Sequence, residues 1–251
     1  MGCGASASAK EKGEKTNETS AGQPLLESAE KSAEAAAAQP AAQPAEELPA
    51  TGSKALRVLV IRSSPRPDGH SNKVTSEFVN GLKAKLPDAD VVEWLLEEKT
   101  DIPDFGQAII NGKGADGTEA EKALWQQGVK IIDEFKSFDL YVVGSQMWNF
   151  AVSPKLKNLI DVLLATGHTF EYVDGAPKGL LVGKRVLFVC AHLGSYPNGG
   201  LDNDFQLPYL KYIWNLMGVS EQKDIPIIAY KGDDADTEPL EQARALVKDW
   251  A

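Results

Sequence analysis

The stretch that decides the fold is residues 139–172, DLYVVGSQMWNFAVSPKLKNLIDVLLATGHTFEY. Its apolar start, residues 140–143, has the length and the β-branched content of a strand buried on both faces. Ser153 and Pro154 then predict a helix start, with a hydroxyl N-cap and proline at the first helical position. Because ligands of open α/β sheets bind beyond the carboxyl ends of the strands, the intervening loop, residues 144–152, is the first candidate for a site.

Outside this stretch the chain alternates between strand and helix patterns. Four further strands are predicted at residues 57–61, 90–95, 185–191 and 225–229. Helices are predicted around residues 74–82, 119–138, 205–217 and 238–250, with Gly218 as the residue just past the third of them. Residues 97–118 are polar and contain glycine, so we expect a long loop there, over the site or at a subunit contact. This alternation predicts an α/β fold built of parallel βαβ units.

The first strand leads into Ser63–Asn72, SSPRPDGHSN, and then into a helix. Serine hydroxyls and the amides of a helix start favour an anion, because the positive end of the helix dipole lies there. The loop has neither G-x-G-x-x-G nor G-x-x-x-x-G-K-[ST], so a dinucleotide fingerprint and a P-loop are excluded. A single phosphate without Mg²⁺ suits FMN better than a nucleoside triphosphate. The alternative is an ordinary capped helix after a turn.

The ordered motifs MWNF, S-P-x-L-K-N, D and G-x-T-F-x-Y resemble those of the FMN-dependent NADH:quinone and azo-compound oxidoreductases, over about residues 55–251. The resemblance implies a flavodoxin-like α/β fold: a five-stranded parallel sheet of order 2-1-3-4-5 with helices on both faces. It also implies FMN, with FAD a less favoured alternative, NADH or NADPH as electron donor, and a homodimer. Electrons would pass in pairs, by a ping-pong mechanism, to a quinone or an azo compound.

The same resemblance implies a set of cofactor-binding residues spread over three loops: Ser64, Ser71, Asn72, Met147, Trp148, Asn149, Phe150, His192 and Gly194. Asn149 would meet the polar edge of the flavin, while Trp148 and Phe150 would line the pocket for nicotinamide and acceptor. No side chain need act as nucleophile or base, since the flavin carries the hydride. The chain departs from the family at Gln146, where proline is common, and at His192 and Leu193.

Purely structural interpretations of the same residues, without a ligand, stay open. Trp148 and Phe150 could be core aromatics, although the intervening Asn149 argues against a purely apolar role. The three histidines and Cys190 show no metal-ligand spacing, so no metal site is expected. Cys190, late in an apolar strand, is expected to be an inert buried thiol.

Composition excludes several classes of protein. The chain of 251 residues has a formal net charge of −10, whereas a nucleic-acid-binding surface is basic. It contains no run of roughly 18 apolar residues, so no transmembrane helix is expected. Cys3 is terminal and Cys190 lies inside an apolar run, which favours a reducing compartment over a structural disulfide.

Residues 1–54 form a separate predicted unit, a disordered tail without aromatic residues. The start MGCGAS fits M-G-x-x-x-[ST], so Gly2 is a candidate for N-myristoylation and the adjacent Cys3 for palmitoylation. One acyl chain binds membranes only marginally, and Cys3 would supply the second signal. The expected location is the cytoplasmic face of a membrane. A cleaved transit peptide is the alternative, but such peptides are rich in arginine and poor in acidic residues.

Three functions compete at this point. The first is a membrane-tethered, flavin-dependent NAD(P)H:quinone oxidoreductase. The second is a general FMN, iron or chromate reductase of the same fold. The third is a catalytically inactive, flavodoxin-like interaction module at a membrane, which the departures at Gln146, His192 and Leu193 favour.

Overall fold

The computed structural model describes residues 55–194 and 204–250. The predicted lipid-bearing tail, with Gly2 and Cys3, lies outside the described residues, as do residues 195–203.

Seven strands occur in the described part of the chain: β1 (Arg57–Arg62), β2 (Asp90–Leu95), β3 (Leu140–Gln146), β4 (Phe170–Val173), β5 (Ala176–Gly179), β6 (Arg185–His192) and β7 (Glu221–Ile228). Five of them form one sheet in the order β2-β1-β3-β6-β7, in which every neighbouring pair is parallel. The predicted five-stranded sheet is confirmed, because β6 and β7 are the predicted fourth and fifth strands.

The helices in the described part are α1 (His70–Lys85), α2 (Gln107–Lys113), α3 (Glu119–Lys136), α4 (Pro154–Leu163), α5 (Leu207–Leu216) and α6 (Thr237–Trp250), with a 3₁₀ segment, Ala229–Asp236, before α6. Side chains of α1 and α6 share one buried core with the sheet. Those of α2, α3, α4 and α5 share the other. Helices therefore cover both faces, as predicted. No helix in residues 55–194 or 204–250 has the length and apolar content needed to cross a membrane.

The central strand β3 supplies both cores. Leu140 and Val142 pack on the side of α1 and α6, whereas Tyr141 and Val143 pack on the opposite side. The Tyr141 ring stacks on Phe135 of α3 with 4.3 Å between ring centroids, and its hydroxyl donates to the Phe135 carbonyl. This two-sided burial explains why β3 is an unbroken apolar run instead of an alternating one.

Two elements were not predicted. The prediction of a loop over residues 97–118 is wrong at α2, a seven-residue helix too short to show a clear period. α2 packs tightly on α3: a Cβ at Gly112 would lie 2.1 Å from the Glu121 carbonyl oxygen. The hairpin β4–β5 was missed although Asp174-Gly175, at φ 51° and 80°, supplies its tight turn.

The helix ends that the sequence predicted are confirmed. The Ser153 hydroxyl accepts from the Leu156 amide at the start of α4, and Pro154 is the first helical residue. α5 ends before Gly218, whose φ of +101° only glycine adopts without strain. β7 begins at Glu221 instead of residue 225, because its polar first half has one solvent-facing side and masks the strand pattern.

Candidate functional site

A cavity of about 290 Å³ lies at one edge of the sheet. Because neighbouring strands are parallel, β1, β3 and β6 all end at this edge, and β1 has β2 on one side and β3 on the other. This is the point where an open α/β sheet reverses its strand order and binds ligands. The lining residues come from the loops after β1, β3, β6 and β7: Ser64, Pro65, Arg66, Gly69, His70, Ser71, Gln146, Met147, Trp148, Ala191, His192, Leu193 and Ala229.

The start of α1 forms one wall of this cavity. Its N-cap residue, Gly69, makes no side-chain capping bond, whereas Thr118 and Ser153 cap α3 and α4 with their hydroxyls. Among the residues that the structure describes, no side chain accepts from the first-turn amides of α1, which lie next to the hydroxyl-bearing Ser64 and Ser71. An uncapped start of a sixteen-residue helix beside two serines is suited to bind a phosphate group.

Asn72 lies behind this wall and does not line the cavity. Its side-chain amide donates to the Arg66 carbonyl at 2.7 Å, and the Gly69 amide donates to the same oxygen at 3.0 Å. The Arg62 guanidinium in turn donates to the Asn72 carbonyl at 3.1 Å. Asn72 therefore fixes the course of residues 64–69 and orients the serines, and it contacts a smaller hollow next to β2.

The loop after β3 forms the second wall through a tight turn. The Met147 amide donates to Ala191 of β6, and Trp148 and Ala151 exchange two backbone hydrogen bonds. Between them, Asn149 and Phe150 have φ of 46° and 70°, a left-handed conformation that costs residues with a Cβ about 1–2 kcal/mol each. Such strain is typical of sites where the backbone must follow a ligand.

This turn places the four predicted site residues 147–150 in two environments. Met147 and Trp148 line the cavity, whereas Asn149 and Phe150 lie next to it, exposed to solvent. The Phe150 carbonyl accepts from the Phe205 amide at 2.9 Å, which connects the turn to the segment before α5. Beyond that connection lies a second, apolar hollow of about 650 Å³, lined by Ala151, Val152, Lys157, Asp204, Phe205, Pro208 and Tyr209.

The end of β6 forms the third wall. Ala191, His192 and Leu193 line the cavity, and Leu193 is 74% exposed. His192 Nδ1 bonds the Gly194 carbonyl, so the chain folds back on itself directly after the strand. Gly194 itself is half-buried and is not among the lining residues.

The structure adds one contact that sequence reasoning missed. His70, the first residue of α1, has Nδ1 2.7 Å from Oδ1 of Asp236, at the end of the 3₁₀ segment. Asp236 is only 7% exposed and also receives Lys73 Nζ at 3.3 Å. The two partners are 166 positions apart in the chain, so no local pattern could have joined them.

Two groups next to the site, the buried Cys190 and the half-buried Tyr209, have shifted pKa values. Burial raises the pKa of the Cys190 thiol, and the nearby Asp204 and Asp224 add to the effect. Burial, together with Asp161, raises the pKa of Tyr209 to about 12. Both groups therefore stay neutral and contribute no charge to the two cavities near neutral pH.

Comparison with known proteins agrees with this fold and site. The family model described as having a flavodoxin-like fold matches residues 56–250. The FMN-dependent NADH:quinone oxidoreductase of Nitratidesulfovibrio vulgaris strain DP4 is 32% identical over 207 residues, 77% of this chain and 99% of that protein. The corresponding protein of Azotobacter vinelandii is 35% identical over 169 residues, 66% of this chain and 83% of its own length.

A solved structure of an azoreductase has a similar fold. The crystal structure of azoreductase from Bacillus anthracis str. Sterne is 27% identical and has a TM-score of 0.72, covering 77% of this chain and 99% of that one. The fold and the site thus define a flavodoxin-like α/β protein with a ligand cavity at the switch point of the sheet. Within that class the chain belongs to the family of FMN-dependent NADH:quinone oxidoreductases.

Proposed function

We propose that this protein is an FMN-dependent oxidoreductase that takes electrons from NADH or NADPH and delivers them in pairs to a quinone or an azo compound. The observation that carries the proposal is the cavity at the switch point, with the uncapped start of α1 at one side and the turn after β3 at the other. Relatives that match most of this chain are named for the same activity.

The residues present fit FMN. A phosphate would be held by the first-turn amides of α1 and by the hydroxyls of Ser64 and Ser71, with Asn72 fixing their loop. The ring would lie against Met147 and Trp148, which line the cavity. His192 and Gly194 would bound its polar edge. Asn149 and Phe150, exposed next to the cavity, would form the outer wall of the pocket for the second substrate.

FMN, when bound, supplies the chemistry of accepting a hydride and giving up two electrons. The protein would bind the flavin, orient the substrates and shield the reacting groups from water. The left-handed turn at Asn149 and Phe150 sets the direction of both side chains before any ligand arrives, so orientation costs little at the moment of reaction. Trp148 and Phe150 are both about half exposed, and one surface beside them would receive the nicotinamide and then the acceptor, which favours ping-pong kinetics.

The test is an absorption spectrum of the purified protein, followed by NADH and then a quinone under anaerobic conditions. We expect a yellow protein that bleaches with NADH and regains its colour with quinone. Flavin released by heat identifies FMN or FAD. A colourless protein that takes up no added FMN would refute the enzyme and leave the inactive interaction module.

Asn149→Ala provides the matching test of the site. We expect slower turnover with FMN still bound, because the amide next to the cavity is lost while the phosphate wall is intact. Asn111→Ala is the control: Asn111 bonds Glu121 between α2 and α3, far from the residues that line the cavity. Equal turnover of both variants would remove Asn149 from the site.

We further propose that myristoylation at Gly2 and palmitoylation at Cys3 hold the enzyme at the cytoplasmic face of a membrane. The sequence MGCGAS supports this, since two acyl chains give stable binding where one does not. Lipophilic quinones partition into the same bilayer, which favours a quinone as acceptor. Gly2→Ala should move the protein to the soluble fraction of cells; unchanged membrane association would refute the anchor.

A homodimer is the proposed assembly. Support comes from large aromatic side chains that are exposed, with Phe205 59% and Tyr172 63% accessible to solvent. Light scattering should give twice the 27.0-kDa mass of the chain. A monomeric mass over the micromolar range would refute it.

A further inference from the structure

His70 and Asp236 place a histidine–carboxylate pair at the phosphate wall of the cavity. His70 is the first residue of α1 and lines the cavity beside Ser64, Gly69 and Ser71. The ring is fixed from behind by Asp236, whose Oδ1 lies 2.7 Å from Nδ1. Asp236 is nearly buried, so its position is set by the packing of the 3₁₀ segment.

The chemistry of this arrangement determines where protons must lie. A carboxylate only accepts hydrogen bonds, so the Nδ1 atom that faces Asp236 carries the hydrogen. In a neutral imidazole the other nitrogen, Nε2, is then an acceptor. The phosphate of FMN is also an acceptor, and two acceptors that face each other repel. Only the protonated ring donates from both nitrogens, to Asp236 on one side and to the phosphate on the other.

We propose that the FMN phosphate binds with uptake of one proton at Nε2 of His70, and that Asp236 is the positioning residue that aims the ring and stabilises its charge. The inference rests on the proposed FMN site. An imidazolium between two anions is favoured by both of them, so the bound phosphate retains the proton to a higher pH than the empty cavity does. Binding and proton uptake are thereby linked.

The other charged and titratable groups around the phosphate wall are compatible with this linkage. Among the side chains that the structure describes, they come from the loop before α1, from α1 itself, from the 3₁₀ segment and from β6: Arg66, Asp68, Lys73, Asp234, Asp236 and His192. Lys73 offsets part of the Asp236 charge at 3.3 Å. Arg66 lines the cavity together with Ser64 and Ser71 and forms no ion pair with any residue whose side chain the structure describes. Arg66 and the α1 amides would therefore attract the phosphate without exchanging a proton, and in this proposal the proton is taken up at His70.

The experiment measures flavin binding to the full chain after its flavin is removed. Flavin fluorescence gives the Kd for FMN and for riboflavin, which lacks the phosphate, between about pH 7 and pH 8.5, where the phosphate is already doubly charged. The Kd for FMN should rise by up to about tenfold per pH unit, and the Kd for riboflavin should stay flat. Calorimetry in buffers of different ionisation enthalpy should show about one proton taken up with FMN and none with riboflavin.

Variants separate the proposed role from a structural one. His70→Gln keeps a donor at the wall, and its Kd for FMN should lose the pH dependence while the protein melts near the wild-type temperature. Asp236→Asn should shift the pH dependence of the Kd for FMN to lower pH. His168→Gln is the matched control, because His168 packs against Trp125 away from the cavity and should leave the profile unchanged.

Two results would overturn the inference: the same pH slope in His70→Gln as in the wild type, or FMN binding without proton uptake. Failure of the proposed function looks different, since then neither flavin would bind at any pH.

Discussion

Gln146 and Ser63 join the ends of β3 and β1 through their side chains. Gln146 Nε2 donates to the Ser63 carbonyl at 3.0 Å, while the Ser63 hydroxyl lies 3.3 Å from Gln146 Oε1. The Ser63 amide also donates to the Gly144 carbonyl, so β1 and β3 stay hydrogen-bonded one residue beyond the last residue of β1. In the family that this chain resembles, proline is common at the position of Gln146. A proline ring would stiffen the backbone at that position. In this chain, hydrogen bonds from Gln146 to the loop after β1 restrain the backbone instead.

Gln146→Ala should weaken FMN binding. Loss of the hydrogen bond to Ser63 lets the loops after β1 and β3 move apart, and such a bond contributes about 1 kcal/mol, which corresponds to roughly fivefold in affinity. The Kd from flavin fluorescence checks this. Gln127→Ala is the control, since Gln127 also donates to a backbone carbonyl, Asp101, but on the exposed side of α3. An unchanged Kd for Gln146→Ala would show that the two loops hold their positions independently.

Phe150→Gly should slow quinone reduction without destabilising the fold. The residue has φ of 70°, and glycine removes about 1 kcal/mol of strain that offsets the lost packing of a half-exposed ring. Urea unfolding and steady-state turnover are the measurements. Trp148→Gly, at a residue without positive φ, should lower both stability and turnover. If Phe150→Gly unfolds as easily as Trp148→Gly, the turn is not strained.

Gly179→Ala should destabilise the protein by about 3 kcal/mol or more. A Cβ at Gly179 would lie 2.1 Å from the Gly218 amide nitrogen, so β5 and the end of α5 would have to separate. Gly106→Ala meets no atom within 4 Å and should cost no more than about 1 kcal/mol, the loss expected when alanine replaces glycine at the N-cap of α2. Thermal and urea unfolding compare the two, and equal midpoints would contradict the close approach of the backbones.

Cys190 should make stability depend on pH above about 8.5, the pKa of a thiol in an unfolded chain. Burial raises the pKa of Cys190 in the folded protein, so between the two values only the unfolded chain loses the proton. The contribution is fully present below the unfolded pKa and is lost as pH rises above it. The unfolding free energy should fall with pH by up to about 1.4 kcal/mol per unit relative to Cys190→Ala.

The comparison with Cys190→Ala matters because lysines and tyrosines titrate in the same range. A Cys3→Ser background isolates the buried thiol, which should react with alkylating reagents only after unfolding. The prediction would be contradicted if the unfolding free energies with and without Cys190→Ala changed with pH in parallel. Rapid alkylation of Cys190 in the folded protein would also contradict it.

Sequence reasoning located three of the loops that meet at the site, because each follows an apolar run that had to be a buried strand. It assigned Ser64, Ser71, Met147, Trp148 and His192 to one site, and all five line the cavity. It placed Asn72, Asn149, Phe150 and Gly194 in the same set, and these lie behind or beside the cavity. The positive φ at Phe150 has no signal in the sequence, whereas Asn149 gives a weak one, because asparagine is enriched in this conformation and phenylalanine is not.

The strand order of the sheet and the helices on both faces were implied by the family resemblance. The residues themselves predict the α/β class and the edge of the sheet where the site lies. These follow from hydrophobic periodicity, N-cap residues and glycine, which act over a few neighbouring positions. Only the tertiary structure decided that Asp236 faces His70, that Gln146 joins Ser63, and that Asn72 supports the loop from behind. These contacts join positions brought together by packing, or depend on which way a side chain turns, and local patterns encode neither.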